Sequence, residues 1–350
     1  MAIKNRFGWS ISRESMFETC MRSYYFHYYL SWGGWYASSS SICREAFKLK
    51  RLMSLPLWRG QLVHYVATKV LASLRKKGTI PALGDVTDYI EKRFHSQMKF
   101  SSSRTYLTEP KKRGDRLNID WLALFEHEYD RRLTDEKIEK TIEECREGIR
   151  GLLDSPILHE IAKTDNRYWI IENIDLAEFA QVFDFDGAQV FAKTDFIYRG
   201  LDGTFDIVDW KTFSSAGRST TTSSEPPIQN DPAQAPDKDH TTRTGVQLGV
   251  YGYYASAVMR EPLESIRLHE VNLLDNGHEI LHRIDDENID IFRDHIRAGI
   301  KKLSEVLVDE DIQKNEARGL NAFPKNVSSR CRYCNFYRIC EEPGSSLRLD

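Results

Sequence analysis

The chain has 350 residues, 41% of them hydrophobic and 29% charged, with a formal net charge of −3. That length suits one large domain or two modest ones, and the composition is ordinary for a folded protein, with no global sign of nucleic-acid binding. No apolar run approaches the roughly 18 residues needed to cross a bilayer, and the N-terminal MAIKNRFGWS lacks the apolar segment of a secretory signal. A cytoplasmic protein with no membrane association is expected.

Residues 1–60 hold nine Lys or Arg, three Glu and thirteen Phe, Tyr or Trp. Basic and aromatic residues interleaved in this way can form a nucleic-acid-binding surface. The same pattern also describes an aromatic core under solvated cations. Residues 10–30 read as an aromatic-rich helix, and residues 33–45, GGWYASSSSICRE, as a loop. From Gly60 to Lys77, Leu62, Val63, Val66, Val70, Leu71 and Leu74 recur on one helical face. Helices separated by polar turns are expected to continue to about residue 160, forming a helical insertion over 78–165. Ile138, Ile142, Cys145, Ile149 and Leu152 share helical spacing there, which makes Cys145 a core thiol.

The pattern changes near residue 166. RYWIIENID, QVFDFD, AQVFAKTDFIYR and TFDIVDWKT are rich in β-branched and aromatic residues and are broken by Asp-Gly turn signals. They are expected as three or four strands of one sheet ending near Thr212. Residues 213–244, rich in Ser, Thr, Pro, Asp and Gln, read as a long mobile polar loop. A helix from Gly245 to Met259, strands in IRLHEVNLL and HEILHRI, and a helix from Glu287 to Leu307 complete the chain before a cysteine-bearing tail. No internal repeat is present.

Asp209-Trp210-Lys211 lies inside an expected strand, where alternation puts Asp209 and Lys211 on one face. A carboxylate can hold a hard divalent cation, and an ammonium beside it can orient a water or offset phosphate charge. Asp-x-Lys is common and is usually a surface ion pair. Its context here is Asp195 on the preceding strand, joined to it through an Asp202-Gly203 turn, so that the two carboxylates meet. Upstream, Gly60 and His64 stand four apart near the start of a helix; a lone His there is usually structural. Downstream, Gln247 and Tyr251 share a helical face, which by itself indicates packing.

Six cysteines are present: Cys20, Cys43, Cys145, Cys331, Cys334 and Cys340. In a reducing compartment such clustering suggests a metal centre rather than disulfides. The tail reads C-x₂-C-x₅-C, and Cys20 is the candidate fourth thiolate. A four-cysteine site can hold structural zinc or an iron–sulfur cluster.

Taken in order, G-x-x-x-H, Asp, D-x-K and Q-x-x-x-Y resemble the motif series of RecB-like PD-(D/E)XK nucleases. The resemblance implies an α/β fold with a central mixed sheet flanked by helices, as one nuclease domain over residues 1–350. It implies Mg²⁺ or Mn²⁺ held by His64, Asp195, Asp209 and the Trp210 carbonyl, with Lys211 at the reacting phosphate and Gln247 and Tyr251 as accessory residues. Glu172 is a further supporting candidate. One N-terminal and three C-terminal cysteines resemble the [4Fe–4S] pattern of AddB nuclease domains and CRISPR-associated RecB-like nucleases, which implies a cluster on Cys20, Cys331, Cys334 and Cys340. The family's Cys-Pro-Arg-x-Tyr-Tyr-Phe has Met21 in place of the proline here. Cys43 has no place in the pattern and is expected to be structural.

The activity implied is hydrolysis of DNA phosphodiesters, as an exonuclease on single-stranded DNA or unwound duplex ends, in repair, recombination or defence. No G-x₄-G-K-[ST] sequence occurs, so unwinding would require a separate helicase subunit. The alternative readings are a catalytically idle subunit that binds DNA or a partner, and a zinc-stabilised structural protein.

Overall fold

The computed structural model describes residues 4–109, 120–170, 181–213 and 243–340. A short strand β1 (Gly8–Trp9) leads into α1 (Ile11–Thr19) and α2 (Met21–Tyr25). Ser10 caps α1 by accepting the Arg13 N–H at 3.2 Å. The helix expected over 10–30 is interrupted at Cys20, whose extended backbone (φ −164°, ψ 108°) separates α1 from α2. Its last turn, Phe26–Leu30, is a π-helix. The expected loop over 33–45 gives way to α3 (Ser41–Leu49), capped by Ser40. Serines favour loops because they compete for backbone hydrogen bonds, and here that same habit supplies the cap.

α4 (Leu55–Lys77) begins at Leu55 rather than Gly60, because Pro56 is suited to a first helical turn. It ends at Gly78 in the left-handed region. α5 (Leu83–Ser102), the short α6 (Thr105–Thr108) and α7 (Phe125–Glu128), α8 (Asp135–Asp154) and α9 (Pro156–Lys163) follow. Leu62, Val63, Val66 and Val70 of α4 pack with Ile90, Phe94, Cys145, Ile149 and Leu152, closed off by Phe196, Tyr198, Val208 and Trp210. Full burial of each such side chain contributes about 1.5–3 kcal/mol. This cluster therefore fixes α4, and His64 with it, against a sheet.

The strands form two sheets rather than one. β2 (Gln181–Phe185) and β3 (Ala188–Ala192) make an antiparallel hairpin, and β1 joins the free edge of β3 in parallel. β4 (Phe196–Arg199), β5 (Phe205–Lys211), β6 (Ile266–Asn272) and β7 (His278–Arg283) make a mixed sheet in that order, with β5 and β6 parallel. The β4–β5 hairpin turns at Gly203, whose φ of +85° suits glycine. The ladders part at Lys193-Thr194-Asp195, where side chains replace strand pairing. The Thr194 hydroxyl donates to Gln181 Oε1 at 3.0 Å, and Asp195 Oδ2 accepts the Trp210 N–H at 2.8 Å.

α10 (Arg243–Tyr253), continued by a π-helical turn over Tyr254–Val258, and α11 (Ile289–Ser304) are the remaining longer helices among the described residues. Leu248, Val250 and Tyr251 of α10 and Ile296 and Leu303 of α11 pack with Phe205, Ile207, Ile266 and Leu268, in a second cluster that also takes in Phe183 and Val190 of the smaller sheet. The result is an α/β fold with mixed sheets flanked by helices. No described helix is long and apolar enough to cross a membrane. Residues 171–180, which include Glu172 and part of an expected strand, and residues 214–242 of the expected polar loop lie outside the described residues.

Candidate active site

β5 is buried along its whole length. Val208 and Trp210 face α4, so alternation directs Asp209 and Lys211 to the opposite face, toward α10. Asp195 stands immediately before β4. Its Oδ1 lies 3.1 Å from Nδ1 of His64, which comes from the middle of α4 rather than its start. Gly60, one turn before His64, permits the approach: a Cβ there would sit 2.8 Å from Thr212 Oγ1. Arg59 fixes it. Its Nη2 donates to the Thr212 carbonyl at 2.6 Å, and its Nη1 pairs with Glu144 of α8 at 2.5 Å.

On the inner side, Lys211 Nζ is 2.5 Å from Asp209 Oδ2 and donates to Gln247 Oε1 at 3.1 Å. Gln247 Nε2 donates to the Tyr251 hydroxyl at 2.5 Å, and that hydroxyl donates to the backbone carbonyl of Lys193. The His64 and Asp195 side chains are 31% and 18% exposed, against 5% for Asp209 and 10% for Lys211. His64 and Asp195 thus form the mouth of the site, and Asp209 and Lys211 its floor. The contact made by Trp210 runs through its N–H to Asp195, and its side chain is buried in the α4 cluster.

The charges are interdependent. Burial raises the Asp209 pKa, Lys211 lowers it and Asp195 raises it again, leaving it above the ordinary carboxylate range. Burial also raises Asp195, but the His64 charge and hydrogen bond, the Trp210 N–H and Lys193 outweigh it, so Asp195 lies below that range. Burial works to lower His64, while Asp195 and Asp209 raise it, and the net shift is upward. Lys211 is likewise raised: burial opposes its charge, and Asp209, Asp195 and Glu270 sustain it.

One imidazole and two carboxylates are suitable donors for a hard divalent cation. Asp209 Oδ2 is buried and accepts no hydrogen bond, its ion pair with Lys211 aside, so it retains coordinating capacity. His64 and Asp195 are closed on each other, and among the described residues no three His, Cys, Asp or Glu are gathered into a ready-made cage. The donor chemistry fits a metal, and the His64–Asp195 pair must open to receive one.

Three neighbours were not singled out from sequence. Arg59 gives no signal beyond being a buried arginine. Lys193, two residues before Asp195, is exposed, and its charge acts on both His64 and Asp195. Glu270 pairs with Asp209 across the parallel β5–β6 ladder, and its Oε2 is 3.1 Å from His282 Nε2. Only the strand register reveals it.

The tail cysteines lie near Cys20 of the N-terminal segment, but among the described residues no three of them are gathered into a formed metal site. Burial pushes the Cys334 thiol up to about 12, and the neighbouring Cys20, Cys340 and Cys331 add to the rise. Burial also raises Cys340, which feels Cys20 and Cys331 as well. All four are free thiols. The junction is tied by Arg22 Nε to the Phe323 carbonyl at 2.8 Å, Asn326 Nδ2 to the Thr19 carbonyl at 2.9 Å and Asn335 Nδ2 to the Leu52 carbonyl at 2.8 Å. Cys43 instead donates to the Trp32 carbonyl at 3.3 Å, and Cys145 is buried in the α4 cluster.

A comparison with curated proteins gave no match. The family model of the PD-(D/E)XK nuclease superfamily matches residues 8–341, a span that holds His64, Asp195, Asp209, Lys211, Gln247, Tyr251 and all four clustered cysteines. The chain belongs to the PD-(D/E)XK nuclease superfamily.

Proposed function

We propose that this protein is a RecB-like, metal-dependent deoxyribonuclease acting as an exonuclease on single-stranded or unwound DNA in repair, recombination or defence, with a separate helicase where unwinding is required. The observation that carries the reading is the convergence of His64 and Asp195 with Asp209 and Lys211, from three separate stretches of chain, at one partly open site.

His64, Asp195, Asp209 and the Trp210 carbonyl would hold Mg²⁺ or Mn²⁺. The bound cation supplies Lewis acidity toward a phosphoryl oxygen and lowers the pKa of a water. The chain's own residues supply the rest. Lys211, kept charged by Asp209 and fixed by Gln247, presents an ammonium that offsets charge developing on the phosphate. Tyr251 links Gln247 to the backbone beside Asp195, so the two halves of the site hold one spacing. Water oxygen bonds to phosphorus as the P–O3′ bond breaks, leaving a 5′-phosphate and a 3′-hydroxyl that takes up the proton.

Cys20, Cys331, Cys334 and Cys340 would hold a [4Fe–4S] cluster. Cys334 and Cys340, whose thiols burial and the neighbouring cysteines hold protonated, are poor thiolates alone and good ones around a cation. The cluster's role is structural, closing a loop of about three hundred residues.

The test is purification without air, then incubation with end-labelled linear and circular single-stranded DNA and Mn²⁺. Shortening of the linear form alone is expected. Cleavage of circles would make the enzyme an endonuclease, and survival of both would overturn the nuclease reading.

A further inference from the structure

Lys193 lies between β3 and β4, two residues before Asp195. Exposure alternates here: Lys193 is exposed, Thr194 buried and Asp195 half-buried. Lys193 and Asp195 therefore share the side that opens at His64, while Thr194 turns inward to Gln181. The backbone is held around the lysine, since its carbonyl accepts the Tyr251 hydroxyl and Asp195 is tied to the Trp210 N–H. The base of the side chain is thus fixed. Its ammonium has no carboxylate or hydrogen-bond partner among the described residues.

A cation placed here is costly for a metal site. Lys193 stands two residues from Asp195 on the same side of the chain, so it repels any cation held at that mouth. An anion lying between the two would reverse the sign of that effect, and the anion this site handles is a phosphodiester. Resting on the nuclease reading above, we infer that Lys193 is a substrate contact, its ammonium engaging a backbone phosphate at the His64–Asp195 mouth. A compact ammonium on a flexible stem, with three rotatable donors, suits one phosphate of a sequence-independent substrate.

The test is the salt dependence of binding, measured by anisotropy with a fluorescein-labelled single-stranded oligodeoxynucleotide. Ca²⁺ replaces Mn²⁺ to suppress turnover. Lys193→Ala is expected to weaken binding by up to roughly tenfold at low salt and to reduce the slope of log K against log salt by about 0.7, the share of one phosphate on a single strand. Lys193→Arg should restore both. Lys77→Ala, at an exposed position at the end of α4, should change neither. An unchanged slope in Lys193→Ala, or an equal loss in Lys77→Ala, would overturn the assignment while leaving the nuclease reading intact. A wild-type protein that bound no DNA would overturn both.

Discussion

His64 and Asp195, 131 residues apart in sequence, face each other with Nδ1 3.1 Å from Oδ1. The helices between them fold back through the α4 cluster to make the meeting possible. The contact has a chemical consequence. The two aspartates draw the His64 pKa above its ordinary value against the effect of burial, which favours the protonated ring over the neutral one that a metal needs.

Metal binding should therefore release a proton. The folded His64 pKa lies above 6.5, so Mn²⁺ affinity should fall as pH drops through that raised value and level off above it. Calorimetric titrations at pH 6 and pH 8 (roughly bracketing the unperturbed value) check this. Equal affinities at both would contradict the His64 assignment, and His64→Asn should show weak, pH-flat binding.

Gly60 offers a test of spacing. Alanine is the better helix former by about 1 kcal/mol, yet its Cβ would meet Thr212 Oγ1 at 2.8 Å. Gly60→Ala should thus keep or raise the melting temperature while lowering cleavage several-fold by pushing α4 from the end of β5. Adding Thr212→Ala removes the clashing oxygen and should restore activity. A double variant as impaired as the single one would show that the close approach does not set activity.

How much of this was legible in sequence depends on distance along the chain. His64, Asp195, Asp209 and Lys211 stood out because the chemistry restricts residue type, and the strands around β5 stood out because their alternation is strong. The partition into two sheets was hidden. β2–β3 and β4–β5 are both hairpins with Asp-Gly turns, and nothing local tells that β1 would take the free edge of β3. Arg59 and Glu270 reach the site through tertiary packing and strand register, which leave no local pattern. The break at Cys20 was obscured by helix-compatible residues on both sides.

A triad on the other side of the sheet, with His269 and Asp206 buried and Glu279 half-buried, also escaped notice. His269 of β6 places Nε2 2.7 Å from Asp206 Oδ1 and Nδ1 2.6 Å from Glu279 Oε1. Burial works to lower its pKa, but the two carboxylates raise it to about 9. Because the folded value exceeds the unfolded one, this stabilisation is fully present below about pH 6.5 and is lost as pH rises through about 9. Denaturant unfolding should show declining stability across that window. His269→Ala should cost about 3–5 kcal/mol by stranding buried Asp206, and should remove most of the decline. A variant as stable as wild type would show that the triad contributes nothing.

The cysteine cluster predicts a split among the six thiols. Cys20→Ala should remove the brown colour and iron content of anaerobically purified protein and lower its melting temperature, since a group that binds only the folded chain stabilises it. Cys43→Ala and Cys145→Ala should keep full iron. A Cys20 variant with full iron and unchanged melting would mean that the tail binds metal without the N-terminus, and zinc in place of iron would overturn the iron–sulfur assignment.

The central claim is that Asp209 and Lys211 form the floor of a metal-dependent nuclease site. It is tested most directly by comparing wild type with Asp209→Asn on end-labelled single-stranded DNA, with Mn²⁺ and with excess EDTA. The side-chain volume is preserved in this variant and the carboxylate charge removed. Wild type should cleave with Mn²⁺ and stop in EDTA, while Asp209→Asn should be slower by a factor on the order of a hundred or more with its melting temperature and DNA affinity retained. Cleavage that survives EDTA, or an Asp209→Asn protein that cleaves at the wild-type rate, would contradict the account.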